Sequence, residues 1–247
     1  MADRARLAVR VHVPEEPAAA GPPVLLLHGF AADGQRDWVR TGMVAALTAA
    51  GRRAVVADLP GHGDSPAPVT SAQAGAGAIA AALVGAMDAV DRGPFDVVGY
   101  SLGARIAWEL PAAAPGRVRR AVLGGLSPVD PFAALDVEAV RQAAAGGPMP
   151  ADPLSAMIAG MVLAHGDRAA GLVTCVEGLR ATPFEPGPWR GQEPPVFVAG
   201  REDVVTAGIE RIVGLVAGAS LVTVPGDHLQ ALAGPGLLEV VAKTLVH

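Results

Sequence analysis

The 247-residue sequence has little cysteine, few aromatic residues and no long apolar run. Its single cysteine, Cys175, excludes an internal disulfide framework and any metal cluster built from several cysteine ligands. The longest apolar runs, such as 24–27, are far shorter than the ~20 residues that cross a membrane. Acidic residues (24) outnumber lysine and arginine (19) and there is no basic stripe, so nucleic acid is not an expected partner.

Targeting and cofactor motifs are also missing. No apolar core of signal-peptide length follows the charged start of the sequence, which predicts a cytoplasmic protein. No G-x-G-x-x-G follows a first strand, and neither a G-x-x-x-x-G-K-S/T loop nor an H-x-x-x-H helix pair occurs. We therefore expect no cofactor and no metal, a small-molecule acyl substrate as the partner, and a monomer or homodimer.

Short apolar segments predict a parallel sheet. The segment at 23–27 is apolar on both faces, as buried strands are, and 53–57, 95–98, 118–123 and 195–199 are also predicted to be buried strands. A further strand is predicted at 220–224. A half-exposed strand at 6–13 and a Pro/Ala/Gly-rich connector at 15–23 come before them. Helical patterns lie between the strands, at 37–50, 71–90, 102–110 (where Pro111 should stop or kink the helix), 206–216 and 235–245. This alternation indicates an α/β fold with right-handed βαβ units.

The strand rhythm disappears between residues 127 and 188. Three short helices are predicted there, at 135–145, 154–164 and 168–179. We expect 1–126 and 189–247 to form the core, and 127–188 to be a small helical cap over the carboxyl edge of the sheet, where open α/β sheets bind ligands.

The pentapeptide Gly99-Tyr100-Ser101-Leu102-Gly103 directly follows a predicted strand and opens a predicted helix. A G-x-S-x-G sequence in that context is typical of a nucleophile elbow, a sharp turn that presents the serine hydroxyl. Serine needs a base to accept its proton, and histidine suits that role when a carboxylate orients it. The sequence therefore predicts Ser101 as a nucleophile.

Candidates for the base and the acid follow the last two predicted strands. His228 comes after one and Asp203 after the other, so both should lie at the same sheet edge as Ser101. Asp130, one strand earlier, is an alternative acid, and Glu202 adjoins Asp203. Asp227, next to His228, is expected to order its own turn.

An oxyanion would need two backbone N–H donors. Leu102, the first residue of the helix after Ser101, should supply one, and Phe30 in His28-Gly29-Phe30 should supply the other. His28 is expected to brace this loop. The turn at 58–65, which contains His62, is expected to be structural.

These motifs resemble the α/β-hydrolase fold superfamily. The matching pieces are His28-Gly29-Phe30, the turn 58–63, the elbow 99–103, 200–203 and 226–228, which span nearly the whole chain in family order. The resemblance implies a mostly parallel sheet of seven or eight strands with a cap, and a serine hydrolase or esterase with the triad Ser101, Asp203 and His228. It implies substrate contacts from Tyr100, and an acyl pocket lined by cap residues such as Met149, Met157, Met161, Phe184 and Trp189.

One subgroup suggests a different reaction. The stretch 99–105, with His28-Gly29-Phe30 and Trp38, is similar to the menaquinone-pathway synthase that eliminates pyruvate, which uses arginines to hold a polycarboxylate. Arg105 matches one of those arginines. A lyase that uses the same triad plus Arg105 is thus the alternative function, and a ligand-binding protein without catalysis is the second alternative.

Overall fold

The computed structural model describes residues 6–15 and 21–246, so the chain start and most of the predicted connector at 15–23 lie outside it. In this part of the chain seven strands form one sheet in the order β1-β3-β2-β4-β5-β6-β7. Strand β1 pairs antiparallel with β3 and every other pairing is parallel, which confirms the predicted fold class. The strands are β1 (Val9–His12), β2 (Val24–Leu27), β3 (Ala54–Ala57), β4 (Phe95–Tyr100), β5 (Val118–Gly124), β6 (Val196–Gly200) and β7 (Ser220–Val224).

Helices cover both faces of this sheet. They are α1 (Met43–Ala49), α2 (Ala76–Val90), α3 (Leu102–Ala113), α4 (Val137–Ala144), α5 (Pro153–Leu163), α6 (Ala169–Ala181), α7 (Glu210–Val213), α8 (His228–Ala233) and α9 (Pro235–Leu245). Residues of α2 and α3 fill the core on one face, and residues of α1 and α9 fill it on the other. Because both faces are covered, β2 and β3 are buried at every position and use only Val, Leu and Ala.

Several helix boundaries differ from the predictions. The helix predicted at 37–50 is a π-helical turn, Gln35–Val39, followed by α1, because Gly42 adopts a left-handed φ of 84° between them. Pro111 lies inside α3, which continues to Ala113. A proline there removes one N–H donor in the last turn of the helix, where Pro111 itself is buried. Helix α7 covers only four residues of the segment predicted at 206–216.

The segment from 127 to 188, here called the insertion, carries α4, α5 and α6 between β5 and β6. A buried ion pair ties it to the core, since Arg105 Nη1 of α3 lies 3.2 Å from Asp130 Oδ2. Arg105 Nη2 also donates hydrogen bonds to the carbonyls of Leu179 and Thr182 at the end of α6. The insertion is thereby fixed beside the carboxyl end of β4. No helix of the described chain is both long and apolar enough to cross a membrane.

Candidate active site

Ser101 stands between β4 and α3 in a strained backbone conformation. Its φ is 53° and its ψ is −115°, which is rare for a residue with a side chain. A Cβ on Gly99 would lie 2.3 Å from the Gly103 carbonyl oxygen, and a Cβ on Gly103 would lie 2.0 Å from that of Leu27. Only glycine fits at both positions, so the two glycines permit the tight turn that presents the Ser101 side chain.

His228 and Asp203 meet at the same edge of the sheet. Asp203 Oδ2 lies 2.8 Å from His228 Nδ1, and Asp203 Oδ1 accepts a 2.9 Å hydrogen bond from the backbone N–H of Val205. The Asp203 side chain is fully buried whereas the His228 side chain keeps 23% exposure. The carboxylate therefore orients the imidazole ring, and among the described residues no protein group hydrogen-bonds its other nitrogen, Nε2.

Neighbouring residues hold the two loops that carry this pair. Asp227 caps α8 by accepting from the N–H groups of Leu229 and Gln230, so it orders its own turn as expected. Glu202 accepts a 2.7 Å hydrogen bond from Gly226 N–H, which links the two loops. His228 is the first residue of α8 rather than part of a loop, because Asp227, directly before it, is the N-cap of that helix.

Tyr100 contacts His228 through both its hydroxyl and its ring. Its hydroxyl donates a 2.6 Å hydrogen bond to the carbonyl of His228, and the two rings lie 5.1 Å apart. Burial, together with the nearby carboxylates Asp203 and Asp37, raises the pKa of Tyr100. The phenol therefore stays protonated and acts as a donor.

The loop after β2 (residues 28–31), here called the oxyanion loop because it carries the predicted donor Phe30, is held by side chains. His28 Nε2 accepts a 2.9 Å hydrogen bond from Leu59 N–H, so its proton is on Nδ1, which donates to the Gly29 carbonyl at 2.7 Å. Burial lowers the pKa of His28, which keeps the ring neutral. Asp37 Oδ2 accepts from Gly29 N–H at 3.0 Å, and burial raises the pKa of Asp37.

The two predicted oxyanion donors lie beside one cavity. Phe30 and Leu102 both line it together with Ser101 and His228. Within residues 6–15 and 21–246, neither the Phe30 N–H nor the Leu102 N–H donates a hydrogen bond to a protein group. Both donors are thus available to a bound molecule.

This cavity of about 340 Å³ has a mostly apolar lining. The insertion contributes apolar side chains to it, among them Phe132, Met157, Ile158, Met161 and Phe184. Met157 is 54% exposed, which places it at the mouth. Three of the predicted pocket residues of the insertion (Met157, Met161 and Phe184) therefore reach the cavity, whereas the exposed Met149 does not line it.

Two other predicted site residues have different surroundings. Trp189 does not line the cavity; its ring packs 5.4 Å from that of Trp108 and its Nε1–H donates to the Glu193 carbonyl at 2.7 Å. Arg105 does line the cavity, but its guanidinium is occupied by Asp130 and by two carbonyls of the insertion. Burial lowers the pKa of Arg105.

Asp130, the alternative acid, is bound by groups other than His228. Besides Arg105, it accepts hydrogen bonds from the N–H groups of Phe132 at 2.9 Å and Phe184 at 2.7 Å. Asp203 is therefore the carboxylate that contacts the histidine ring.

The turn at 58–65 braces the oxyanion loop from outside the cavity. Asp58 accepts from the N–H groups of Gly34 and Asp64, and the His62 ring packs against His28 and Phe30. Burial lowers the pKa of His62 to about 3. Cys175 donates its S–H to the Pro60 carbonyl, and burial raises the pKa of its thiol to about 12.

Two residues near the site had no signal in the sequence. Asp37 sits within a helical pattern, where a carboxylate usually faces solvent, yet it is 3% exposed and lines the cavity. His165 lies in the insertion, and its Nε2 is 3.1 Å from the Ala31 carbonyl oxygen. Contacts that join segments 134 residues apart leave no local pattern.

Comparison with known proteins gives the same family throughout. Residues 22–145, about half of the chain, match the family model described as the alpha/beta hydrolase fold. A pimeloyl-(acyl-carrier protein) methyl ester esterase of Methylococcus capsulatus is 39% identical over 104 residues, which cover 42% of this chain and 36% of that protein. An epoxide hydrolase of Caballeronia sordidicola is 34% identical over 122 residues, covering 49% and 35%. These matches thus span about a third of the relatives' length.

Solved structures match over nearly the whole chain. A hydrolase from Pseudomonas aeruginosa superposes with a TM-score of 0.72 at 27% identity, covering 96% of this chain and 93% of that one. The enol-lactonase of Burkholderia xenovorans superposes with a TM-score of 0.76 at 21% identity, covering 98% and 97%. The chain belongs to the alpha/beta hydrolase fold family of enzymes.

Proposed function

We propose that this enzyme is a serine hydrolase that cleaves an ester or thioester of an apolar acyl group. The observation that carries the proposal is the 2.8 Å contact between His228 Nδ1 and Asp203 Oδ2 beside a cavity that Ser101 also lines. A carboxylate that accepts the Nδ1 proton leaves Nε2 as the acceptor that a serine nucleophile needs.

In the proposed reaction Ser101 Oγ attacks the substrate carbonyl while His228 Nε2 takes its proton. The Phe30 and Leu102 N–H groups receive the charge that develops on the carbonyl oxygen. The imidazolium, stabilised by Asp203, then protonates the leaving alcohol or thiol. Water then attacks the acyl-enzyme in the same way, with His228 as the base, and this releases the acid and Ser101. Ser101 and His228 form no direct hydrogen bond in the described chain, and such bonds tighten when substrate binds.

The identity of the nucleophile favours acyl transfer over epoxide opening. An acyl group on Ser101 is an ester, which the same base and oxyanion donors can hydrolyse. An epoxide opened by a serine hydroxyl would instead leave an ether, which has no carbonyl for water to attack. A serine at this position therefore supports ester hydrolysis and not epoxide hydrolysis.

The lining of the cavity favours an apolar acyl group. Phe132, Ile158, Met161 and Phe184 form its insertion side, so the insertion serves as a cap over the acyl group. The lyase alternative would need the Arg105 guanidinium for a substrate carboxylate, and that guanidinium already pairs with Asp130. We therefore propose the hydrolase and not the lyase.

A series of p-nitrophenyl esters with increasing acyl length tests the proposal. We expect hydrolysis by the wild type, with kcat/KM rising from acetate to medium chains, and a loss of at least about 10³-fold in Ser101→Ala. Ser127→Ala is the matched control, because Ser127 also lines the cavity and, in the part of the chain that the structure describes, its hydroxyl hydrogen-bonds with Val129 alone. A folded Ser101→Ala protein with wild-type turnover would refute the proposed nucleophile.

A further inference from the structure

The N–H of Phe30 can serve as an oxyanion donor only if its peptide unit is held in one orientation. The Gly29 carbonyl and the Phe30 N–H belong to the same planar peptide and point in opposite directions. His28, which does not line the cavity, donates from Nδ1 to that carbonyl at 2.7 Å. Asp37 holds the preceding N–H, that of Gly29, at 3.0 Å. The loop is thus fixed on its N-terminal side by residues of the core.

On the C-terminal side of Phe30 the backbone is strained. Ala31 has a φ of 54°, a left-handed conformation that costs a residue with a Cβ about 1–2 kcal/mol. Ala31 has no side chain that could compensate for this cost through its own hydrogen bond. Something outside the loop must therefore keep Ala31 in place, and its relaxation would rotate the adjoining Phe30–Ala31 peptide.

The contact that holds Ala31 comes from the insertion. His165, which follows α5, lies half-buried with Nε2 3.1 Å from the Ala31 carbonyl oxygen. A carbonyl can only accept, so this nitrogen carries the proton and donates. The contact joins the insertion to the oxyanion loop, and neither His165 nor Ala31 lines the cavity.

We propose that His165 is a positioning residue for the oxyanion donor: by holding the Ala31 carbonyl, it keeps the Phe30 N–H directed at the cavity of Ser101. The inference rests on the proposed function, because it assigns the Phe30 N–H to a charged transition state. It makes docking of the insertion a condition for full catalytic rate as well as for substrate binding.

This role predicts a specific kinetic pattern. Loss of the hydrogen bond loosens an oxyanion donor without removing it, so the expected effect is a fraction of the 10²–10³-fold loss caused by deleting one donor. We expect kcat of His165→Ala to fall about tenfold. KM should change less than twofold, because the apolar cavity that binds the acyl group is unchanged.

The experiment compares His165→Ala, His165→Phe and His165→Gln in the full chain, with p-nitrophenyl butyrate as substrate and thermal unfolding as the folding check. Glutamine carries an amide N–H near the position of Nε2 and should restore kcat to within about threefold of wild type. Phenylalanine keeps the volume but has no donor, so it should stay as slow as alanine. Asp167→Ala, an exposed change two residues along, is the control with wild-type rate expected.

The outcomes separate the two proposals. A wild type inert toward every ester would refute the proposed function, and this inference with it. An active wild type whose His165→Phe variant keeps kcat within twofold would overturn the inference alone. A glutamine variant as slow as phenylalanine would do the same, since the donor would then not be the property that matters. If alanine fails to fold, phenylalanine and glutamine still decide.

Discussion

Replacing Asp203 with asparagine perturbs the proposed site at its most constrained point. The two oxygens of Asp203 have different partners: Oδ1 accepts from Val205 N–H at 2.9 Å, and Oδ2 faces His228 Nδ1 at 2.8 Å. Val205 can only donate, so the single amide oxygen of asparagine must stay with it. The amide nitrogen then faces His228 Nδ1 and donates to it.

That reversal forces the proton of His228 onto Nε2, where it can no longer accept from Ser101. Loss of the correct tautomer in a triad of this kind lowers kcat about 10⁴-fold, which corresponds to ~5.5 kcal/mol of transition-state stabilisation. The fold should hardly change, because asparagine is isosteric and keeps the Val205 contact. We expect a change of less than about 1 kcal/mol in the free energy of unfolding.

The assay is steady-state hydrolysis of p-nitrophenyl butyrate, with urea unfolding of the same preparations. Asp227→Asn is the matched control, since Asp227 adjoins His228 but only caps α8, a role asparagine fills equally well. A folded Asp203→Asn variant with kcat within tenfold of wild type would refute the reasoning, because Asp203 would then not set the tautomer.

Three further predictions address the cavity and the fold. Met157→Glu at the mouth of the cavity should lower kcat/KM about tenfold for the octanoate ester but less than threefold for the acetate ester. Leu163→Glu is the control, because Leu163 lies on the same helix, is 40% exposed and does not line the cavity. Equal losses for both esters would contradict the proposed acyl site. Asp130→Ala should cost about 3–5 kcal/mol in urea unfolding, because it leaves the buried Arg105 unpaired, and a cost under 1 kcal/mol would argue against that pair. The free energy of unfolding should fall as the pH drops from 6.5 towards 3, because the pKa of His62 is lowered to about 3 in the folded protein and the ring takes up a proton in this range only when the chain is unfolded. If His62→Phe shows the same dependence of unfolding free energy on pH as the wild type, His62 is excluded as its cause.

The sequence was sufficient to predict the parts of the molecule that depend on local pattern. Buried strands such as β2 and β3 need apolar residues on both faces, and the elbow needs Gly99 and Gly103 because backbone atoms lie within 2.5 Å of where a Cβ would be. The loops that carry Asp203 and His228 follow from strand order in the same way. These features are visible in single segments or in the order of segments along the chain.

Features that depend on packing between distant segments were not predictable. Trp189 is a large apolar residue of the kind that lines pockets, but its ring packs against Trp108 and does not line the cavity. Arg105 has the position of a substrate-binding arginine, and only the fold shows that Asp130 pairs with it. The contact of His165 with Ala31 likewise exists only because the insertion docks on the oxyanion loop.

The central claim is that Ser101 is a nucleophile activated by His228. Intact-protein mass spectrometry after incubation with a fluorophosphonate tests it most directly, since the probe phosphonylates an activated serine and needs no knowledge of the natural substrate. The account predicts one adduct per folded chain, mapped to Ser101, and none in Ser101→Ala. Folded wild-type protein that stays unlabelled, or an adduct that persists in Ser101→Ala, would contradict it.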